Sequence, residues 1–149
     1  MARFRYKLQS ILNIKLKMED QAKQAFSVAR LRLDEEEEKL AHLQDRKRSY
    51  EEETRGLLSG SLNVREIESS QNAILTMENF IADQQILVDR AAAQLEAARE
   101  RMKAAMQERK TQEKLREKAF DEFLREENRA EIKVIDELTS YTYGQKQEV

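Results

Sequence analysis

Ile67, Ile74, Ile81, Val88, Leu95 and Met102 recur every seven residues. On an α-helix that spacing returns to the same side every two turns, so the row draws a seam for a partner helix. A companion row three residues further on, including Met77, Ala91, Ala98, Ala105 and Ala119, thickens it. A single helix cannot bury such a seam. The pattern predicts an all-α protein whose function lies in surfaces and not in a pocket.

Composition points the same way. Ala, Glu, Lys, Leu and Arg make up more than half of the 149 residues, the bias of coiled coils and long helices. There is no proline to break a helix, only three glycines, and 6% aromatics, too few for a thick globular core. The absence of cysteine removes disulfides and thiolate metal sites. No apolar run approaches the roughly 20 residues of a membrane span, and the N-terminus lacks the apolar core of a signal peptide. A soluble, cytoplasmic protein is the expectation.

Gly56 and Gly60 form the only breaker cluster before Gly144, inside the stretch Gly-Leu-Leu-Ser-Gly-Ser-Leu-Asn. Asn63 followed by Glu66 has the spacing of a capping box, with Asn in place of Ser or Thr. The reading is helix 1 over about 4–57, a bend at 58–63, helix 2 over about 64–140 and a flexible tail at 141–149, all in a single coiled-coil domain. A seven-spaced row also runs along helix 1: Leu8, Lys15, Ala22, Ala29, Glu36, Leu43, Tyr50, Leu57. Its companions are Ile11, Met18 and Ala25 early, then Leu33 and Leu40 on the other side. The seam is therefore expected to rotate where the acidic run Asp34 to Glu38 intervenes.

So short a bend favours an antiparallel coiled-coil hairpin. With Leu57 facing Val64, paired positions sum to about 121, which puts Leu8 near Glu113 and Phe4 near Glu117. Helix 1 would span on the order of 80 Å, and helix 2 would overhang the N-terminus by roughly 30 Å. The formal net charge of −2 hides a pattern. Residues 1–33 carry eight Lys/Arg against Glu19 and Asp20, and residues 99–118 carry eight against four Glu. The hairpin sets these two basic stretches side by side.

No residue pattern points to catalysis, a metal or a cofactor. His42, the only histidine, adjoins the seam residue Leu43 and reads as a solvated flank. Ser59-Gly60-Ser61 is a turn, since no Gly-Lys-Ser/Thr pattern follows it. The many carboxylates read as solvated helix faces. Nucleic acid is disfavoured because acidic residues interleave with the basic ones and no stacking aromatics accompany them. A basic end entering an acidic protein cavity suits the mixed charge better. Phe80 and Leu87 lie one residue before seam positions. They widen the hairpin stripe or, with Leu43 and Tyr50 opposite, form an exposed patch near the bend. Phe120, Phe123, Leu124, Ile132 and Ile135 fall in the overhang, where helix 1 cannot cover them, and point to a partner.

The opening run Phe4-Arg5-Tyr6-Lys7-Leu8-Gln9-Ser10-Ile11-Leu12 resembles the N-terminal signature of the bacterial flagellar type III export protein FliJ family. Glu127-Asn128-Arg129, then Lys133, then Asp136-Glu137-Leu138 is similar to that family's C-terminal helix pattern. The resemblance covers essentially the whole chain. It implies a non-enzymatic, cofactor-free component of the export apparatus, folded like the two-helix part of the rotary ATP synthase γ subunit. Such a protein inserts into the hexameric export ATPase, promotes ring formation, binds the cytoplasmic linker of the membrane export-gate protein and interacts with unloaded export chaperones. It would work at the cytoplasmic face of the inner membrane, reached through partners only.

Carried over by position, the ATPase-facing set is Phe4, Arg5, Leu8 and Ile11 on helix 1 with Arg129, Lys133, Asp136 and Glu137 on helix 2. The gate-facing set is Leu43, Arg46, Tyr50, Met77 and Phe80, where Arg46 departs from the expected aromatic character. The alternatives are an export chaperone or adaptor without an axle role, a parallel homodimeric scaffold, and a nucleic-acid-binding coiled coil.

Overall fold

Long runs of helix-favouring residues without proline produce two helices, seen in a computed structural model that describes residues 3–147. Helix α1 is Gln9–Leu58 and helix α2 is Val64–Gln147. They pack antiparallel, and no strand occurs among the described residues.

Local chemistry sets the ends. At the start of α2 the Asn63 side-chain oxygen accepts hydrogen bonds from the backbone N–H of Arg65 (3.1 Å) and Glu66 (3.4 Å). Asn63 is thus the N-cap, and Glu66 adds a favourable negative charge in the first turn. Helix α1 ends at Leu58, where Ser59 donates to the Gly56 carbonyl from both its backbone N–H and its hydroxyl. The bend needs no left-handed residue, because no described residue has positive φ.

Helix α1 starts at Gln9, not at residue 4. The preceding residues include Arg3, Arg5 and Lys7, whose positive charge is disfavoured at a helix N-terminus, and they offer no Ser, Thr, Asp or Asn cap. A turn with Gln9 N–H donating to the Tyr6 carbonyl (3.2 Å) leads into the helix instead. At the other end, α2 runs through the expected flexible tail as far as Gln147. Residues 148 and 149 of that tail lie outside the described residues.

From Ile67 to Ala105 the two expected rows of α2 are buried or half-buried throughout, with Met77, Val88, Ala91, Ala98 and Ala105 no more than 8% exposed. In α1 every position from Leu12 to Leu57 at alternating spacings of three and four is likewise buried or half-buried. The expected rotation of the seam does not occur. Ile11, Met18 and Ala25 are exposed, and Leu12, Glu19 and Phe26 take the inner positions. One helix pair has one continuous contact line, and keeping it unbroken brings a glutamate inside.

The register also differs from the expected one. Val64 is exposed, whereas Leu57 and Ile67 are half-buried, and the polar contact across the helices nearest the bend joins the hydroxyls of Thr54 and Ser70. Pairs such as Lys15 with Glu108, Phe26 with Arg99 and Gln9 with Arg116 have residue numbers summing to 123–125, about one helical turn beyond the expected value.

The packing divides into two units: residues up to Asp20 with those from Ala104 onward, and Gln21–Lys103. The second contains the bend, Met77, Val88, Ala91 and Ala98. The first contains Leu12, Ala105 and the uncovered end of α2.

Candidate functional site

Within the unit made of the chain ends, residues 3–8 run along α2 as a short non-helical arm. Its anchor is Phe4, whose ring lies edge-on to Phe120 at 5.1 Å and tilted against Phe123 at 5.5 Å. The Arg116 guanidinium sits over the same ring at 5.7 Å, a cation–π contact, and its Nε donates to Gln9 Oε1 at 3.1 Å. Phe120 and Phe123, expected in the uncovered overhang, are thus partly covered by the arm. Exposure becomes unbroken only after Glu127. Every residue from Asn128 to Lys146 is exposed, including Ile132, Val134, Ile135 and Leu138.

The arm, the first turn of α1 and this bare helix hold the residues expected to face an ATPase. Phe4 is half-buried, so it fastens the arm. Arg5 is exposed, and Leu8 and Ile11 are 42% and 38% exposed. Arg129, Lys133, Asp136 and Glu137 are fully on the surface of α2, at spacings that place them along one side. Phe4 meets α2 at residues 116–123, short of that second group.

Below the arm the seam turns ionic. Arg109 donates from Nε to Glu19 Oε2 at 2.6 Å, from its second terminal nitrogen to Glu19 Oε1 at 3.3 Å, and to Glu113 Oε2 at 2.8 Å. The Glu19 side chain is 6% exposed, so its charge is desolvated and is matched by a guanidinium fork. Glu19 first, and Glu113 second, hold Arg109 still more firmly in its charged form. Lys15 and Glu108 pair one turn away at 2.8 Å.

In the other unit the residues expected to face an export gate divide by burial. Leu43 and Tyr50 are half-buried members of the α1 inner row, Arg46 is exposed and Phe80 is 48% exposed. Leu87, one heptad after Phe80, is 41% exposed, and the two leave a part-apolar ridge beside the seam. Met77 is only 5% exposed and belongs to the core, so it supports this face without presenting it. His42 is exposed and lines an open depression with Glu35, Glu38, Lys39, Leu43 and Gln84. Beneath that depression the buried Glu36 carboxylate accepts from Gln84 Nε2 at 2.5 Å, with Lys39 and Arg32 at 3.5 and 3.6 Å. The Gln84 hydrogen bond, supported by these two cations against the opposing effect of burial, holds Glu36 below the usual carboxylate range.

The sequence reading did not assign these polar layers, although it carried their signal: Lys15, Glu36 and Arg109 fall on apolar seven-residue rows. No cluster of His, Asp or Glu among the described residues could hold a metal, and no helix is long and apolar enough to cross a membrane.

Two comparisons match this chain. Its structure superposes on that of a putative YscO homolog, CT670, from Chlamydia trachomatis. The TM-score is 0.78, covering 98% of this chain and 99% of that one at 22% identity, a likeness of fold. A search of curated proteins found no match of comparable significance. The family described as flagellar FliJ protein matches residues 4–148, which agrees with the motifs at both ends of the sequence, and the chain belongs to that family.

Proposed function

We propose that this chain is a non-enzymatic stalk and coupler of the flagellar type III export apparatus. Membership of the FliJ family supports a type III export component. In this reading the arm and the bare end of α2 enter the hexameric export ATPase and promote assembly of its ring. Leu43, Arg46, Tyr50 and Phe80, backed by Met77, form the face for the cytoplasmic linker of the export gate. The chain reaches the membrane face through these partners, and unloaded export chaperones are a further class of partner.

The observation that carries the reading is the helix after Glu127, which exposes every described side chain while bearing four large aliphatic residues. This stretch lacks the tertiary packing that stabilises most helices, and an apolar surface of this kind marks an interaction site. The arm in the same unit is basic, with Arg3, Arg5 and Lys7 on the surface, which favours an acidic partner surface there.

Truncation after Glu127 tests the reading, since it removes no residue that packs on α1. Pulldown and stimulation of the cognate export ATPase are expected to be lost. Retention of both by the truncated chain overturns the axle role, and loss of chaperone or substrate binding alone selects the adaptor alternative.

A further inference from the structure

The unit made of the chain ends exposes two apolar stripes. On α1, Ile11, Ile14 and Met18 are 38%, 56% and 43% exposed. Their spacings of three and four residues place them along one side, turned away from the inner row of Leu12, Lys15 and Glu19. Leu115, 42% exposed, occupies the matching flank of α2. The other stripe is Ile132, Ile135 and Leu138, at 58–61% exposure on the bare part of α2. Each covers about two helical turns.

Their charges are opposite. Exposed Lys17, Lys114 and Lys118 adjoin the first stripe, with Lys7 four residues ahead of Ile11. Glu131, Asp136 and Glu137 adjoin the second, against two cations, Lys133 and, three residues ahead of Ile132, Arg129. Neither stripe can cover the other within one chain, because α2 is continuous to Gln147 and does not fold back.

We propose that two copies of this chain associate reciprocally, the bare end of α2 in each lying along the Ile11–Met18 face of the other. One two-fold operation then covers both stripes on both chains, with lysines facing carboxylates at each contact. The dimer would keep the apolar end of α2 out of water whenever no other partner holds it.

Sedimentation equilibrium of the full chain over a range of concentration tests it without any other protein. The expected result is a monomer–dimer equilibrium, from 17.6 kDa to twice that mass, that shifts toward monomer as salt rises. Ile132→Ser with Ile135→Ser should abolish the dimer while circular dichroism stays helical. Two charge-reversed chains complete the test: K114E/K118E and D136K/E137K. Each should dimerise with itself at least about tenfold more weakly than wild type, since every reversed pair occurs twice in the dimer. An equimolar mixture of the two should dimerise again, because both contacts become complementary. A wild-type chain that stays monomeric at all concentrations overturns the proposal. So does a dimer indifferent to the reversals, or a mixture that fails to recover. A monomer that instead binds vesicles containing anionic lipid through the lysine-flanked face overturns it as well.

Discussion

Arg109 occupies a position where six preceding members of its row, at the same spacing, are apolar. It is kept there by Glu19, whose carboxylate is desolvated and has the guanidinium as its close partner. Removing only the arginine takes the guanidinium fork away from a desolvated carboxylate, so Arg109→Ala is expected to lower the melting temperature by several degrees. The paired change Glu19→Leu with Arg109→Leu should restore most of it or exceed wild type. A double-mutant cycle followed by thermal circular dichroism measures the coupling, and additive losses would refute this account. Glu36 supplies a pH test. Its carboxyl titrates lower in the folded chain than its ordinary value near 4.5, so its stabilising effect is complete above that value. The effect is lost as pH falls below 4.5 through the depressed folded value. The stability difference between wild type and Glu36→Gln should therefore shrink in that acid window and stay constant above it, as urea denaturation at several pH values would reveal.

The helices depend on their ends and on a few weak points. The Asn63 side-chain oxygen caps α2 by accepting from two backbone N–H groups, so Asn63→Ala should cost about 1 kcal/mol in urea unfolding. Gly56 lies inside α1 without positive φ, and a Cβ there would meet nothing within 4 Å. Gly56→Ala should stabilise the chain by roughly 0.5–1 kcal/mol through helix propensity, with no change in the bend. Gly60 has equally open space around it. The bend comes from the Asn63 cap and from the poor helix propensity of Ser-Gly-Ser, not from a backbone shape reserved for glycine.

For the whole molecule, the seam is thin. No large side chain is fully buried among the described residues, and small residues supply much of the closest contact: Ala91, Ala98 and Ala105. Stability therefore rests on many partly buried layers, and interspersed polar pairs select the register. The helix beyond Glu127 contributes no such layer. Truncation there should leave the melting temperature of the remainder within about a degree while removing helical signal, and a large drop would reveal packing on that segment.

The sequence by itself determined the architecture: seven-residue rows, helix-forming composition and one breaker cluster leave an antiparallel helical pair as the economical solution. It also determined the family, through motifs at the two ends that periodicity does not require. Tertiary structure decided the register, the inner face of early α1 and the path of the first residues. Each is a competition between alternatives that look alike locally. Ile11 and Leu12 are equally apolar, and only a continuous contact line chose Leu12 and buried Glu19 with it. The lack of a cap keeps residues 3–8 out of the helix, but where that arm lies is decided only by Phe120 and Phe123, which offer their rings to Phe4. The candidate end surface was legible as an excess of α2 over α1, but its boundary was not. Where exposure begins depends on how far the arm reaches, and that is set by ring packing between residues more than a hundred positions apart.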